Sequence, residues 1–377
     1  MLEILKKRNV YLKWLTNKPE HNVKYSLLVP QYNELSKCRI DERLDYYQCL
    51  SNSNPYINII IIDDGSTDGS LSIIQDYINR RHRDFFVASV YPNSQKVGAL
   101  YLATREINCE FVIVSDFDTD IHGLENLDIS LRPHISNPNF LGGYFRMLPF
   151  ESAGNIFLFQ QLEYSLLRSL YKMHKKDLSV PVMPGAGSIY RREILISIYN
   201  NHSGLRNGED REAALLGQKE GKQAVYLKDI CTMTRPPQNF KNLLQQRIRW
   251  NLGYIETFNK EKLYYYTQLK KKSAMGVRFA MDVFVVLFLL VFPLLLIFLS
   301  LLSLRYCLYL LIAIYWTYLL FSIILMTIVP NESYEFKNKK LQSVLVYPVI
   351  KFLIEYFAWM GAIKKFIITS GQNKGSI

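Results

Sequence analysis

Short apolar runs ended by turn-forming residues recur through the first third of the chain: YSLLVP at 25–30, INIIII at 57–62, FFVASV at 85–90 and FVIVS at 111–115. Runs of this kind predict strands buried on both faces, as in parallel sheets. Between them the spacing turns helical, over 70–82, with Ser66, Thr67 or Asp68 available to cap the start, and over 96–108. This alternation predicts a doubly wound α/β domain. From about 150 the pattern is more helical. Residues 158–173 read as a long helix, VPVMPGAGS (180–188) as a turn, 208–220 as a helix, and 239–258 as an amphipathic helix carrying Trp250 and Tyr254.

The C-terminal pattern is different again. Residues 283–304 carry no charge, Arg305 interrupts, and 306–331 carry none. Each run exceeds the ~20 apolar residues that cross a bilayer as a helix. A third apolar stretch, 343–363, contains Lys351 and Glu355, four residues apart and able to pair on one helical face. It reads either as a span with an inward polar face or as a helix lying at the interface. The organisation expected is a basic N-terminal segment (1–23) that could lie at an interface, a catalytic α/β domain (24–238), amphipathic interface helices (239–278) and a transmembrane region (279–377). Its spans are placed at about 281–303 and 306–329, with 343–363 as a third.

Composition sharpens this picture at three points. With 49% hydrophobic residues, disorder is excluded. Cys38, Cys49, Cys109, Cys231 and Cys307 are scattered without a CxxC pair, which fits reduced thiols and gives no zinc spacing. The net charge of +12 suggests either nucleic acid or a polyanionic small substrate beside an anionic membrane. Lys260, Lys262, Lys270, Lys271, Lys272 and Arg278 crowd the segment before the first span, which favours the second and excludes nucleic acid as a partner. By the positive-inside rule this segment, and the catalytic domain before it, face the cytoplasm. MLEILKKRNVYLKWL has no apolar core behind its basic residues, so no signal peptide is expected.

Four places carry candidate chemistry. DDGSTDGS (63–70) follows an apolar strand, where open α/β sheets bind ligands, and Asp64 there can accept hydrogen bonds from a base or ribose. A capping cluster would read the same way. Asp116-Phe117-Asp118 follows FVIVS and places two hard oxygen donors near one point, suited to Mg²⁺ or Mn²⁺ beside a diphosphate. Glu209-Asp210 opens a helix, where a carboxylate is either a dipole partner or a base for a hydroxyl nucleophile. QQRIRW (245–250) is either the wet face of an amphipathic helix or a site where Arg249 takes the diphosphate and Gln246 and Trp250 shape the acceptor.

Taken in order and followed by spans, these motifs make the chain resemble membrane-bound glycosyltransferase family 2, the group of hyaluronan, cellulose and chitin synthases. The resemblance covers about residues 24–365. VPQYNE (29–34) looks like the nucleotide-binding entry, Lys96 matches the lysine after the third strand, and PGAGSIYRRE (184–193), with Gly185, matches the segment lining the acceptor terminus. GED is similar to the TED motif with Gly208 in place of Thr, and QRIRW fits QxxRW in full. The resemblance implies a GT-A-type fold and a metal-dependent inverting hexosyltransferase. It gives Tyr32, Glu34, Asp64 and Lys96 the uridine and diphosphate, Asp116 the nucleotide sugar, Asp118 the Mn²⁺ or Mg²⁺, Asp210 the role of catalytic base, and Gln246, Arg249 and Trp250 the diphosphate and acceptor.

The expected function is transfer of a sugar from a UDP-sugar to a growing β-linked polysaccharide of exopolysaccharide or capsule type at the cell membrane. Two departures keep single-sugar transfer to a membrane lipid open beside it. Polymer synthases of the group usually have spans before the catalytic domain, and none is seen here. IKKFIITSGQNKGSI lacks the group's C-terminal Trp and Thr-Arg pair. A homo-oligomer or accessory channel protein would then complete a translocation path. The Lys-, Ile- and Asn-rich usage suggests an AT-rich bacterial source.

Overall fold

The computed structural model describes residues 2–19, 23–81, 83–150, 152–204, 207–328 and 340–374. The chain forms two compact units. The first is Met1–Met147 with Pro181–Thr234, and the second is Leu148–Val180 with Arg235–Ile377.

The first unit is built on a nine-stranded mixed sheet: β1 (Tyr11–Trp14), β2 (Val23–Gln31), β3 (Ile57–Asp63), β4 (Phe86–Tyr91), β5 (Cys109–Val114), β6 (Asp120–His122), β7 (Phe140–Pro149), β8 (Ser188–Arg191) and β9 (Gln223–Thr234). The order across the sheet is β1-β4-β3-β2-β5-β8-β7-β9-β6. Its middle is parallel, β4-β3-β2-β5. These are the four strands that the apolar runs predict.

Leu27, Val29, Ile59, Ile61, Phe111 and Ile113 point to one face and share a core with Leu44 and Tyr47 of α2 (Ile40–Ser53) and Ile74 and Ile78 of α3 (Ser70–Arg80). Leu28, Ile60, Ile62 and Val112 alternate with them and are buried too. On the other side α4 (Gln95–Glu106) packs on β2 and β3, and α7 (Arg192–Asn201) on β5. Burial on both faces is why the runs are continuous rather than alternating.

The chain winds from β2 outward to β4, then returns across β2 to β5. Ligands of open α/β sheets bind beyond the strand ends at such a reversal. Here that point is the carboxyl ends of β2 and β5, followed by Tyr32–Glu34 and Asp116–Asp118.

Several elements differ from the expectation. Helix α3 stops at Arg80, and residue 82 lies outside the described residues. Its cap is Gly69, at φ +95°, rather than Ser66, Thr67 or Asp68. Asp68 still serves the helix start by accepting from the Ser70 amide at 2.9 Å. The strands β1 and β6 to β9 and the helices α1 (Leu2–Lys7), α2, α5 (Leu127–Leu131) and α7 are additions. Strand β8 matters most for the site. It pairs antiparallel with β5, Val114 opposite Ser188, and so brings the turn at 184–187 alongside the aspartates after β5. Ser115 Oγ donates to the Ala186 carbonyl at 3.3 Å and fixes that approach.

In the second unit, α6 (Asn155–His174), α9 (Phe240–Lys270), α10 (Ala274–Leu302), α11 (Leu304–Ile328) and α12 (Lys340–Lys374) follow one another. Phe159 and Leu162 of α6, Leu243 of α9, Leu319 of α11 and Tyr347 and Ile354 of α12 form its core. Helix α9 starts one residue after the expected 239 and runs well beyond 258, with non-helical geometry at Glu261 (φ −112°, ψ 28°). Three helices are long and apolar enough to cross a membrane: Ala274–Leu302, Leu304–Ile324 and Leu341–Thr369. Residue 329, the expected end of the second span, lies outside the described residues. The predicted Lys351–Glu355 pair forms, at 3.0 Å.

Candidate active site

The first unit gathers charged groups at the carboxyl ends of β2 and β5. Lys96, in the first turn of α4, is the hub. Its Nζ is hydrogen-bonded to Asp116, donates to the Gly185 carbonyl at 3.2 Å and lies 3.8 Å from Glu209. Burial alone would lower the ammonium pKa, but the Asp116, Glu209 and Asp210 carboxylates raise it, so Lys96 is held as a cation. Gly185 stands where a side chain would collide with it: a Cβ there would lie 2.5 Å from Lys96 Nζ. Gly185→Ala is therefore expected to push the ammonium off Asp116 and lower kcat/KM about tenfold, roughly the worth of one charge-assisted contact. Kinetics over a range of donor concentration checks this, and a thermal midpoint matching the wild type shows that the fold persists.

Glu209 and Asp210 open α8 (Glu209–Lys219). The residue before them, Gly208, has φ +74°, a backbone region in which a threonine would be strained. The departure from TED thus follows the local backbone. Asp210 accepts from the Gly185 amide at 3.3 Å and from the Arg211 amide at 2.8 Å. Burial and the neighbouring Asp210 charge push the Glu209 carboxyl up to about 7. Lys96, Glu209 and Asp210 line a cavity of about 20 Å³, room for about one water.

Asp118 is half-buried. Burial first, then the charges of Asp116 and Glu34, push its carboxyl up to about 6. A carboxyl whose proton affinity is raised by the charges of neighbouring carboxylates is one that a divalent cation relieves. Among the described residues no group of three His, Cys, Asp or Glu side chains is arranged to hold a metal by itself. The carboxylates fit a cation whose remaining ligands come from a diphosphate. Glu34 also pairs with Lys37 at 2.7 Å, while Tyr32 is exposed beside it.

Asp64 has a different environment. It is buried, and burial pushes its carboxyl up to about 6. Oδ1 accepts from the Ser94 amide and hydroxyl, both at 2.8 Å, and Oδ2 from Asn93 at 2.9 Å. Asp64 therefore ties the loop after β3 to the start of α4, and so to Lys96.

Sequence reading missed Arg43. Its buried guanidinium donates to the Phe117 and Thr119 carbonyls, both at 2.8 Å, and pairs with Asp120 at 2.5 Å. It grips the backbone on either side of Asp118. An isolated arginine in an irregular helix pattern gives no signal of this in the sequence.

Gln246, Arg249 and Trp250 belong to the second unit. The residue between them, Arg247, organises two of the three. Its Nη1 donates to Gln246 Oε1 at 2.6 Å, and its guanidinium lies 4.0 Å from the centre of the Trp250 ring. Its other end pairs with the buried Glu163 of α6, which also accepts from Lys351 of α12 at 3.3 Å. Burial would raise the Glu163 pKa, but the Arg247 and Lys351 charges lower it. Trp250 stays 44% exposed, leaving indole surface for a ligand. Arg249 is exposed on the wall of a cavity of about 540 Å³.

Comparison with known proteins accounts for both units. The family described as "Glycosyl transferase family 2" matches residues 26–199, and "Glycosyl transferase family group 2" matches 152–329. Together the two matches run from 26 to 329. The chain belongs to glycosyltransferase family 2. Within this family it is 35% identical over 95 residues to the uncharacterized glycosyltransferase YaiP of Escherichia coli, a stretch covering 24% of this chain. That match spans only 22% of the relative's length. Among solved structures it is similar to the mannosyltransferase PcManGT of Pyrobaculum calidifontis, in complex with GDP-Man and Mn²⁺ (20% identity, 66% of this chain and 67% of that one, TM-score 0.47). It is also similar to TarS of Staphylococcus aureus (18% identity, 63% and 43%, TM-score 0.42). In this family 2 chain, Asp116 and Asp118 follow β5 at the reversal point of a mixed α/β sheet.

Proposed function

We propose that this protein is an inverting, membrane-anchored glycosyltransferase that moves a sugar from a UDP-sugar to an acceptor hydroxyl at the cytoplasmic face of the cell membrane. The observation that supports this most is the Lys96, Asp116, Glu209 and Asp210 cluster at the sheet's reversal point, in a family 2 chain. Tyr32, Glu34 and Lys96 hold the nucleotide, Asp64 fixes the loop that carries Lys96, and Asp116 contacts the donor sugar. Mn²⁺ or Mg²⁺ at Asp118, when bound, offsets the charge that grows on the leaving diphosphate.

Asp210 takes the proton from the acceptor hydroxyl. The oxygen's electron pair forms the new bond to the anomeric carbon, while the bond from that carbon to the diphosphate oxygen breaks and its electrons leave with UDP. A single displacement inverts the centre, so an α-linked donor gives a β-glycoside. Gln246, Arg249 and Trp250 serve diphosphate and acceptor, on the chemistry of a guanidinium for phosphate oxygens and an indole for the apolar side of a sugar ring.

Glu209 sets a pH dependence. Below about 7 its carboxyl keeps a proton, and as pH rises the proton is lost and a negative charge appears beside the base, which favours proton transfer from the acceptor hydroxyl. Activity is expected to rise with pH and level off above about 7. Glu209→Gln removes the titrating carboxyl and should flatten this limb. A limb that stays in place would assign it to another group. A folded-state pKa above the ordinary carboxylate value also means that the charge on Glu209 costs stability as pH rises toward 7.

The acceptor reading that follows from the family is a growing β-linked polysaccharide. Single transfer to a membrane lipid is favoured by the cation-lined cavity around Arg249. Labelled UDP-sugars supplied with Mn²⁺ to the purified protein in lipid, with the products sized, separate them. A ladder supports the polymer, one glycosylated lipid supports single addition, and no transfer from a broad donor panel overturns the enzyme reading.

A further inference from the structure

The cavity of about 540 Å³ in the second unit has walls of one sign. Arg235, on the stretch before α9, Arg249, on α9, and Lys365, near the end of α12, line it together with the amides of Gln238, Asn242 and Gln245. No carboxylate lines it, and among the described residues no ion pair neutralises any of the three cations. Three uncompensated positive charges facing one space repel one another, and a multiply charged anion relieves that repulsion. Side-chain amides beside the guanidinium groups supply further donors for an oxygen-rich group. The volume is in the range of small-molecule sites, enough for a phosphate with part of the group that carries it.

Its position limits where that anion comes from. Lys365 lies four residues before the end of the apolar stretch Leu341–Thr369, which is long enough to cross a membrane. A lysine at the end of such a helix sits at headgroup depth. A cavity lined by such a lysine is within reach of an anion attached to a lipid. With Arg249 serving the donor diphosphate, Arg235 and Lys365 supply two positive charges, which match a phosphomonoester, close to two negative charges at neutral pH, better than a singly charged diester.

We propose that this cavity binds the phosphomonoester headgroup of a membrane lipid. The phosphate site rests on the cavity alone and is distinct from the acceptor hydroxyl of the transfer proposed above. Arg235 and Lys365 are dedicated to the lipid phosphate.

The test is binding without turnover. The full-length protein in phosphatidylcholine nanodiscs is titrated with dihexanoyl phosphatidic acid and, separately, with UDP. The wild type is expected to bind phosphatidic acid, weakening with salt. The double variant Arg235→Gln/Lys365→Gln should weaken it by about tenfold or more, each charge-assisted contact being worth roughly a factor of ten. Its UDP affinity should be unchanged, which also shows that the variant is folded. Lys365→Arg alone should bind like the wild type. Absent binding by the wild type, or a double variant with undiminished phosphatidic acid affinity, overturns the proposal. So does a fall in UDP affinity in step with the lipid, because the cavity would then serve the donor. Since no sugar is transferred in this assay, a protein that binds the lipid but transfers nothing would refute the proposed activity and leave the phosphate site standing.

Discussion

Asp210→Asn is expected to lower sugar transfer by about 10²–10⁴-fold, the usual contribution of a positioned general base. Asparagine has the same shape, and its carbonyl oxygen can still accept from the Gly185 amide as Asp210 does. It cannot take a proton. The loss should therefore appear in kcat, with UDP binding retained, because Lys96 keeps Asp116 and the Gly185 carbonyl as partners. Single-turnover transfer and UDP titration of the same preparation check both halves. Turnover equal to wild type would remove Asp210 from the reaction and point to Glu209, 3.8 Å from Lys96, as the base.

The second large effect is on stability. Glu163→Ala should destabilise the protein by about 3–5 kcal/mol, the cost of breaking a buried pair and leaving its partner unpaired. Glu163 is the counter-charge for both Arg247 and Lys351, so its removal strands one guanidinium and leaves one ammonium with Glu355 alone. The consequence reaches the QxxRW motif, because Arg247 also holds Gln246 and stacks on Trp250. Thermal unfolding in detergent should show a sharply lowered midpoint. Glu163→Asp, which keeps the charge on a shorter side chain, should recover part of it. An unchanged midpoint for the alanine variant would mean that water already screens these charges.

The two effects arise from parts of the fold that were unequally legible. The four parallel strands are visible because burial on both faces makes each a continuous apolar run, as in INIIII. Strand β9 escaped because its burial is broken, QAVYLKDICTMT having exposed residues at Lys228 and Asp229. Strand β8 escaped because four residues give no period to read. Helix α2 starts at Ile40, is preceded by Arg39, which makes no side-chain capping bond, and has a weakly amphipathic sequence, so neither helix signal is present.

At the site, the motifs were legible and their connections were not. Lys96, Asp116, Gly185 and Glu209 lie far apart in sequence; the β5–β8 pairing sets Gly185 beside Asp116, and the starts of α4 and α8 bring Lys96 and Glu209 to them. Asp64 was legible as a carboxylate at a strand end. Its burial under Ser94 and Asn93 depends on a loop that no local pattern encodes. Arg247 was hidden in plain view, as the unassigned second residue after Gln245 in QQRIRW, because its partners Glu163 and Lys351 come from other helices.

The central claim is a single displacement at the anomeric carbon, and the stereochemistry of the product tests it most directly. The purified protein in lipid, given an α-linked UDP-sugar labelled at the anomeric carbon, Mn²⁺ and acceptor, should yield a product whose carbon–hydrogen coupling by nuclear magnetic resonance is that of a β-glycoside, formed in step with UDP. An α-glycoside would contradict the account, because a single in-line displacement inverts the anomeric centre.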